Sequence, residues 1–213
     1  MAASVTGRVQ VNPGHYTPSH YLTPQRMASI GWQLRLMTDS FPRGSVLEVG
    51  RGSGLGRHLL EQEGFSVTSI DIDPALRPEI IAPISAIPIG NNAFDCFVCC
   101  QVLEHMPWQI AKDGLRELHR TCRLGGVLSV PTVSRLIALS VFGPRRDGFR
   151  VLGRLPSWGA RRRNSDEHSW ELGAGLSLQE FREALKSTGF DVVCQLRSVT
   201  WFYHQFFVVK PTQ

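Results

Sequence analysis

The chemistry of this chain starts at Glu48-Val49-Gly50-Arg51-Gly52-Ser53-Gly54-Leu55-Gly56, where an apolar run, Ser45 to Gly50, ends in a glycine-rich turn that opens a helical stretch. Glycines in such a turn let backbone approach a ligand closely, and a helix N-terminus presents N–H groups without partners. A dinucleotide fingerprint, Gly-x-Gly-x-x-Gly, would need glycine at 55 or 57, but Leu55 and Arg57 stand there. The pattern is instead acid-x-Gly-x-Gly-x-Gly, led by Glu48. The next apolar run, Phe65 to Ile70, ends at Asp71 in Ile70-Asp71-Ile72-Asp73-Pro74. A carboxylate at that strand end can accept both ribose hydroxyls of a nucleoside. Each acid also has a plainer role open to it: Glu48 as a structural carboxylate capping nearby amides, Asp71 as a helix N-cap.

Two further groups could move protons. Gln101, near the end of the run Phe94 to Val102, and Glu104 and His105 just past it form one, and Asp166-Glu167-His168-Ser169-Trp170-Glu171 gathers carboxylates, an imidazole and an indole in the other. His168 beside a carboxylate could act as a base near neutral pH, or sit in a solvated loop anchored by Trp170. His105 is a second candidate base, or a helix-start residue satisfied by local backbone. Asp166, Glu167, His168 and Glu171 show no metal-ligand spacing, so no metal is expected. His15, Tyr16, His20 and Tyr21 form another aromatic and imidazole cluster, Trp108 reads as core, and Tyr203 and His204 read as structural.

The elements that position these residues alternate. Pro24 to about Thr38 reads as a helix with Thr23 as N-cap. Strands are expected at Ser45–Gly50, Phe65–Ile70, Glu79–Ile84, Phe94–Val102 and Gly126–Val130, with helices at Gly54–Glu63 and Pro107–Thr121. This βαβα rhythm argues for a parallel sheet covered by helices. It breaks after Pro131, and 132–176 reads as an insertion over one sheet edge. Ser177 and Glu180 then have capping-box spacing, Gly189 fits the helix end, and Asp191–Arg197 and Trp201–Val209 pair as an antiparallel hairpin.

With 213 residues, 42% hydrophobic and 19% charged, the chain fits one globular domain: an N-terminal lid and helix (1–40), a ligand-binding core (45–131), the insertion and a C-terminal helix and hairpin (177–213). No apolar run is long enough to span a membrane and no signal peptide is read, so a cytoplasmic location with reduced thiols is expected. Cys96 and Cys99 fall within a strand and point to opposite faces, which suits buried structural thiols. The net charge is +5, and 20 of the 23 basic residues are arginines. Arg145, Arg146, Arg150, Arg154 and Arg161 to Arg163 cluster in the insertion. Lining a site they would favour an anionic acceptor, and otherwise they form a solvated loop.

The glycine loop, Ile70 to Pro74, Asn92-Ala93-Phe94-Asp95-Cys96-Phe97-Val98 and Gln101-Val102-Leu103-Glu104-His105 together resemble the class I S-adenosylmethionine-dependent methyltransferases, in particular the small type 11 group, across Ser45 to Pro131. Tyr21 to Arg26, Cys99 to His105 and Trp170 to Gly173 look like a bacterial subgroup associated with surface-glycan genes. The resemblance implies a Rossmann-like α/β fold: a seven-stranded, mostly parallel sheet with helices on both faces and the last strand antiparallel. It implies S-adenosylmethionine as cofactor, with Glu48, Gly50, Arg51, Gly52 and Gly54 at its methionine part, Asp71 on the ribose, Ile72 beside the adenine and Gln101 close by. Pro83 or Ser85 stands where the family has an acid for the adenine amino group, so backbone recognition is expected. Arg51 replaces a small residue, and either pairs with the cofactor carboxylate or points to solvent. The expected activity is methyl transfer to a small molecule, a sugar or glycan hydroxyl first, with His168 and then His105 as base. The rivals are an RNA methyltransferase and a non-catalytic scaffold of the same fold.

Overall fold

The structure, a computed structural model, describes residues 21–133, 136–142, 148–154, 168–197 and 203–212, with 136–142 and 148–154 described through their backbone. His15, Tyr16, His20, Arg145, Arg146, Arg161 to Arg163, Asp166 and Glu167 lie outside the described residues, and so does the arrangement of the arginine cluster.

Helix α1 (Pro24–Ser40) starts where expected: Thr23 Oγ1 accepts the Arg26 N–H at 3.2 Å, and Pro24 fills the first position. Strand β1 (Ser45–Val49), helix α2 (Leu55–Gln62), strand β2 (Ser66–Asp71), the two-residue strand β3 (Ile80–Ile81), strand β4 (Cys96–Cys100), helix α3 (Trp108–Thr121) and strand β5 (Gly126–Pro131) follow. After strands β6 (Leu136–Phe142), β7 (Gly148–Arg154), β8 (Glu171–Leu172) and β9 (Gly175–Leu176) come helix α4 (Leu178–Ser187) and strands β10 (Phe190–Arg197) and β11 (His204–Pro211). The Ser177–Glu180 capping box is present in both directions.

Seven strands form one sheet in the order β10-β11-β5-β4-β1-β2-β3. Pairings from β5 to β3 are parallel, while β11 runs antiparallel to both β5 and β10. The sheet is buried on both faces, as parallel strands require. Leu47, Val49, Phe97, Cys99, Leu128 and Phe207 pack on one face with Leu115 and Leu118 of α3 and Phe181 and Leu185 of α4. Their strand neighbours Val46, Cys96, Val98, Val127 and Phe206 pack on the other with Met37 of α1 and Leu60 of α2. Cys96 and Cys99 thus do point to opposite faces. All five thiols are unbridged, and burial lifts Cys96 to about 12.

The insertion holds regular structure that the sequence reading left out. Leu136–Phe142 and Gly148–Arg154 form an antiparallel pair, hydrogen-bonded to each other and in a sheet of their own. A short apolar run such as Leu136 to Phe142 carries no alternation to distinguish strand from buried helix. A second small sheet, β8 with β9, is tied to the main body by a bridge between Thr132 and Leu172. Trp108 and Trp170 meet edge to face at 5.1 Å and pack on Phe181, so both serve the core.

Candidate active site

The strand order reverses at β1, which has β2 on one side and β4 on the other. In open α/β sheets ligands bind at such a switch point, beyond the carboxyl ends of the strands. There the chain leaves β1 through three glycines with positive φ: Gly50 at 80°, Gly52 at 51° and Gly54 at 75°. A Cβ on Gly50 would lie 2.6 Å from Val102 Cγ2, so this position is closed to larger residues on steric as well as conformational grounds. Asp71 at the end of β2 holds the turn in shape. Its Oδ2 accepts the Arg51 N–H and its Oδ1 accepts the Asp73 N–H, each at 2.9 Å.

Glu48 lies just before this turn. It is buried, its Oε2 has no hydrogen-bond partner, and its carboxyl is pushed up to about 8 by that burial. Arg51, Arg57 and the Arg57 backbone N–H pull the other way without prevailing. An orphaned carboxylate oxygen beside a glycine turn fits a ligand that brings a cation or a donor, as the amino group of S-adenosylmethionine does. Ser85 Oγ is a second buried orphan, in the loop after β3 assigned above to the adenine. Ile72 is half-buried next to Asp71.

The Arg51 side chain turns back toward β2. Its Nη1 donates to Ser69 Oγ at 3.1 Å and lies 3.8 Å from Glu79 Oε2, which also accepts the Ser69 N–H and O–H. Arg57 pairs with the other Glu79 oxygen. In this structure Arg51 braces the glycine loop against β2 and contributes its backbone N–H to Asp71.

The second half of the site gathers past β4 and β5. Gln101 leaves β4 with φ at 59°, and its Nε2 lies 2.9 Å from Ser29 Oγ on α1 and 3.3 Å from His204 Nδ1. Burial, assisted by the positive charge of Arg26, pushes His204 down to about 3, so its ring is neutral and Nδ1 can accept from Gln101. Glu104 and His105 follow in a 3-10 turn, Leu103–His105. Glu104 is 1% exposed, its Oε2 has no hydrogen-bond partner, and burial lifts its carboxyl to about 8.

His168 arrives from the insertion and packs edge to face on His105, ring centroids 4.9 Å apart. The backbone secures the approach: Ser169 N–H donates to Glu104 O at 2.8 Å, and Trp170 Nε1 to Met106 O at 3.1 Å. His168 Nδ1 lies 2.9 Å from Glu171 Oε1 and 3.2 Å from the Tyr203 hydroxyl, which itself donates to Glu171 Oε1 at 2.8 Å. The structure therefore brings His105 and His168 together, with Glu171 in contact with the His168 ring. It keeps Glu104 beside them, as expected, and adds Tyr203, His204 and Ser29, of which Tyr203 and His204 read from the sequence as structural. The signal was in the topology: an antiparallel last strand beginning at His204 places its start beside Pro131, at the carboxyl end of β5.

A family model described as "Methyltransferase domain" matches residues 47–130. The ubiquinone biosynthesis O-methyltransferase of Xanthomonas campestris pv. campestris is 29% identical over 189 residues, covering 78% of this chain and 74% of its own length. Among solved structures, the 1,6-didemethyltoxoflavin-N1-methyltransferase of Burkholderia thailandensis, with S-adenosylhomocysteine bound, superposes with a TM-score of 0.57 at 16% identity, covering 95% of this chain and 92% of that one. The N-methyltransferase NodS of Bradyrhizobium japonicum WM9, also with S-adenosylhomocysteine, gives 0.60 at 14% identity and covers 90% of each chain. A seven-stranded sheet reversing at β1, an acid-led glycine turn and these matches define a nucleotide-cofactor-binding α/β enzyme. Residues 47–130 carry a methyltransferase domain, and the matches support a class I S-adenosylmethionine-dependent methyltransferase.

Proposed function

We propose that the enzyme methylates an oxygen of a small molecule, with a sugar or glycan hydroxyl as the first candidate. When bound, S-adenosylmethionine supplies a methyl group already activated on a sulfonium. The glycine turn, Glu48 and Asp71 hold it, with the loop around Ser85 beside the adenine. The chain's remaining tasks are to align the acceptor, exclude water and help a hydroxyl lose its proton. The observation that carries the reading is the polar cluster of Glu104, His105, His168, Glu171 and Tyr203 at the strand ends that also carry the glycine turn. A nucleophile that needs no deprotonation would have little use for it. The O-methyltransferase named among the relatives is in keeping with an oxygen acceptor.

The test is a screen for tritiated methyl uptake from labelled cofactor into sugars, nucleotide-sugars, phenols and RNA. Label in a sugar hydroxyl is the expected result. Uptake into RNA alone would make the arginine-rich insertion the acceptor surface and overturn the small-molecule reading. A protein that binds the cofactor product yet labels none of these classes would point to the scaffold alternative.

A further inference from the structure

We propose that Glu104, His105 and His168 form a binding site for a divalent cation of the zinc class, with a coordination position left open to the acceptor oxygen. This deepens the reading of the polar cluster as the acceptor side and rests on it. One ligand atom from each residue lies within 4.8 Å of the other two. Two imidazoles and a carboxylate are a donor set for zinc and similar first-row cations, at about 2.0–2.2 Å from the ion, and ordinary side-chain rotation closes the remaining distance.

Three features go beyond proximity. First, the Glu104 carboxylate is buried with one oxygen lacking any hydrogen-bond partner, a costly arrangement that a cation relieves. Second, His168 already has the outer contacts of a metal-bound imidazole. Its Nδ1 faces Glu171, which is fixed in turn by the Tyr203 hydroxyl, leaving Nε2 as the ligand atom. Third, the cluster is pinned by backbone: Ser169 N–H donates to Glu104 O, so the two chain segments that supply the ligands are joined beside them. The sequence expectation of no metal weighed Cys96 with Cys99 and residues 166–171, each within one segment, whereas this set joins 104–105 to 168.

Three protein ligands with an open position describe a catalytic rather than a structural site. A hydroxyl bound there would have its pKa lowered by the cation's charge and would release its proton to water. His168 would then act as a ligand, and Glu171 and Tyr203 as positioning residues.

The test is calorimetric titration of chelator-stripped protein with zinc chloride, and with magnesium chloride for comparison. One zinc per chain at micromolar or lower concentration is expected, with magnesium much weaker. Glu104→Gln, which preserves shape, and His168→Ala should each weaken zinc binding by about 100-fold, and Glu171→Gln by roughly 10–100-fold. Absence of saturable zinc binding would overturn the site. So would binding that survives Glu104→Gln and His168→Ala, because the ion would then sit elsewhere, for example on Cys194. Affinity for S-adenosylhomocysteine is measured on the same samples. If that product binds and zinc does not, the cation inference alone falls; if the product does not bind, the reading of the enzyme itself falls.

Discussion

Asp71 Oδ2 accepts the backbone N–H of Arg51 at 2.9 Å, so the acid that ends β2 also shapes the turn that ends β1. Its other oxygen holds the Asp73 N–H. Each carboxylate oxygen retains a lone pair, and a ribose can use these without displacing either backbone bond. Asp71→Ala should therefore weaken S-adenosylhomocysteine by about 10- to 100-fold, the scale of lost hydrogen bonds to a charged group. Asp71→Asn, which keeps one acceptor, should fall between. Calorimetry decides, and unchanged affinity in the alanine variant would place the nucleoside elsewhere.

Gly52 has φ at 51°, where a β-branched residue is rarely found. Gly52→Val should abolish detectable product binding. The fold should survive at a cost of roughly 1–2 kcal/mol, the usual penalty for a left-handed residue with a Cβ. Circular dichroism and calorimetry on one sample separate the two effects. Full affinity in the folded variant would show that the turn does not approach the ligand.

Much of this site was legible because local chemistry is written locally. Thr23-Pro24, the Gly50–Gly54 turn and the Ser177–Glu180 box each announce an element boundary, and the structure places all three where they were read. The Arg51 side chain was not legible, because its partners Ser69 and Glu79 come from β2 and the loop beyond it. Tyr203 was missed for a similar reason: it gains its meaning from His168 and Glu171, on a segment far away in sequence. Strand pairing β6–β7 was hidden because a continuous apolar run has no period to read.

The loop after β3 is fastened by the side chains of Arg120 and Glu117. Arg120 donates to Ile87 O at 2.9 Å and Ile89 O at 2.6 Å, while its partner Glu117 accepts the Ile87 N–H at 2.9 Å. Arg120→Ala should cost about 1–3 kcal/mol, mostly from carbonyls left without donors, because the partly exposed ion pair itself adds little. For a chain of this size each kcal/mol lowers Tm by about 2–4 °C. Because the same loop carries Ser85, affinity for the cofactor product should fall as well. A Tm within a degree of wild type would show that the loop is held by other means.

Removing His168 tests the acceptor side without touching the cofactor turn. On a confirmed hydroxyl acceptor, His168→Ala should lower turnover by about 10²-fold or more, whether the imidazole takes the proton or holds a cation that does so indirectly. Tyr203→Phe removes only the hydroxyl that fixes Glu171, and should give a smaller loss of turnover. In both, S-adenosylhomocysteine affinity should remain near wild type. Undiminished turnover in His168→Ala would exclude this imidazole from the reaction and leave His105 as the remaining candidate of the pair.

Glu48 links cofactor binding to pH. In the ligand-free chain its carboxyl is pushed up to about 8, chiefly by burial, so at pH 7 it is mostly protonated. An ammonium group brought against its orphaned oxygen favours the carboxylate, and binding then releases a proton. Affinity for S-adenosylhomocysteine should rise with pH between 6 and 8, by at most about tenfold per unit, since one group is involved. Calorimetry in buffers of different ionisation heats should register the released proton directly. The same shift affects folding in the opposite sense. A carboxyl that holds its proton more tightly folded than unfolded stabilises the chain below the ordinary carboxylate range, and that contribution is lost as pH rises from 4.5 through 8. Glu48→Gln should accordingly bind the cofactor product weakly and with a flat pH dependence, yet be more stable than wild type at pH 8. A variant that keeps the rising affinity would show that another group takes up the proton and that Glu48 does not face the ligand.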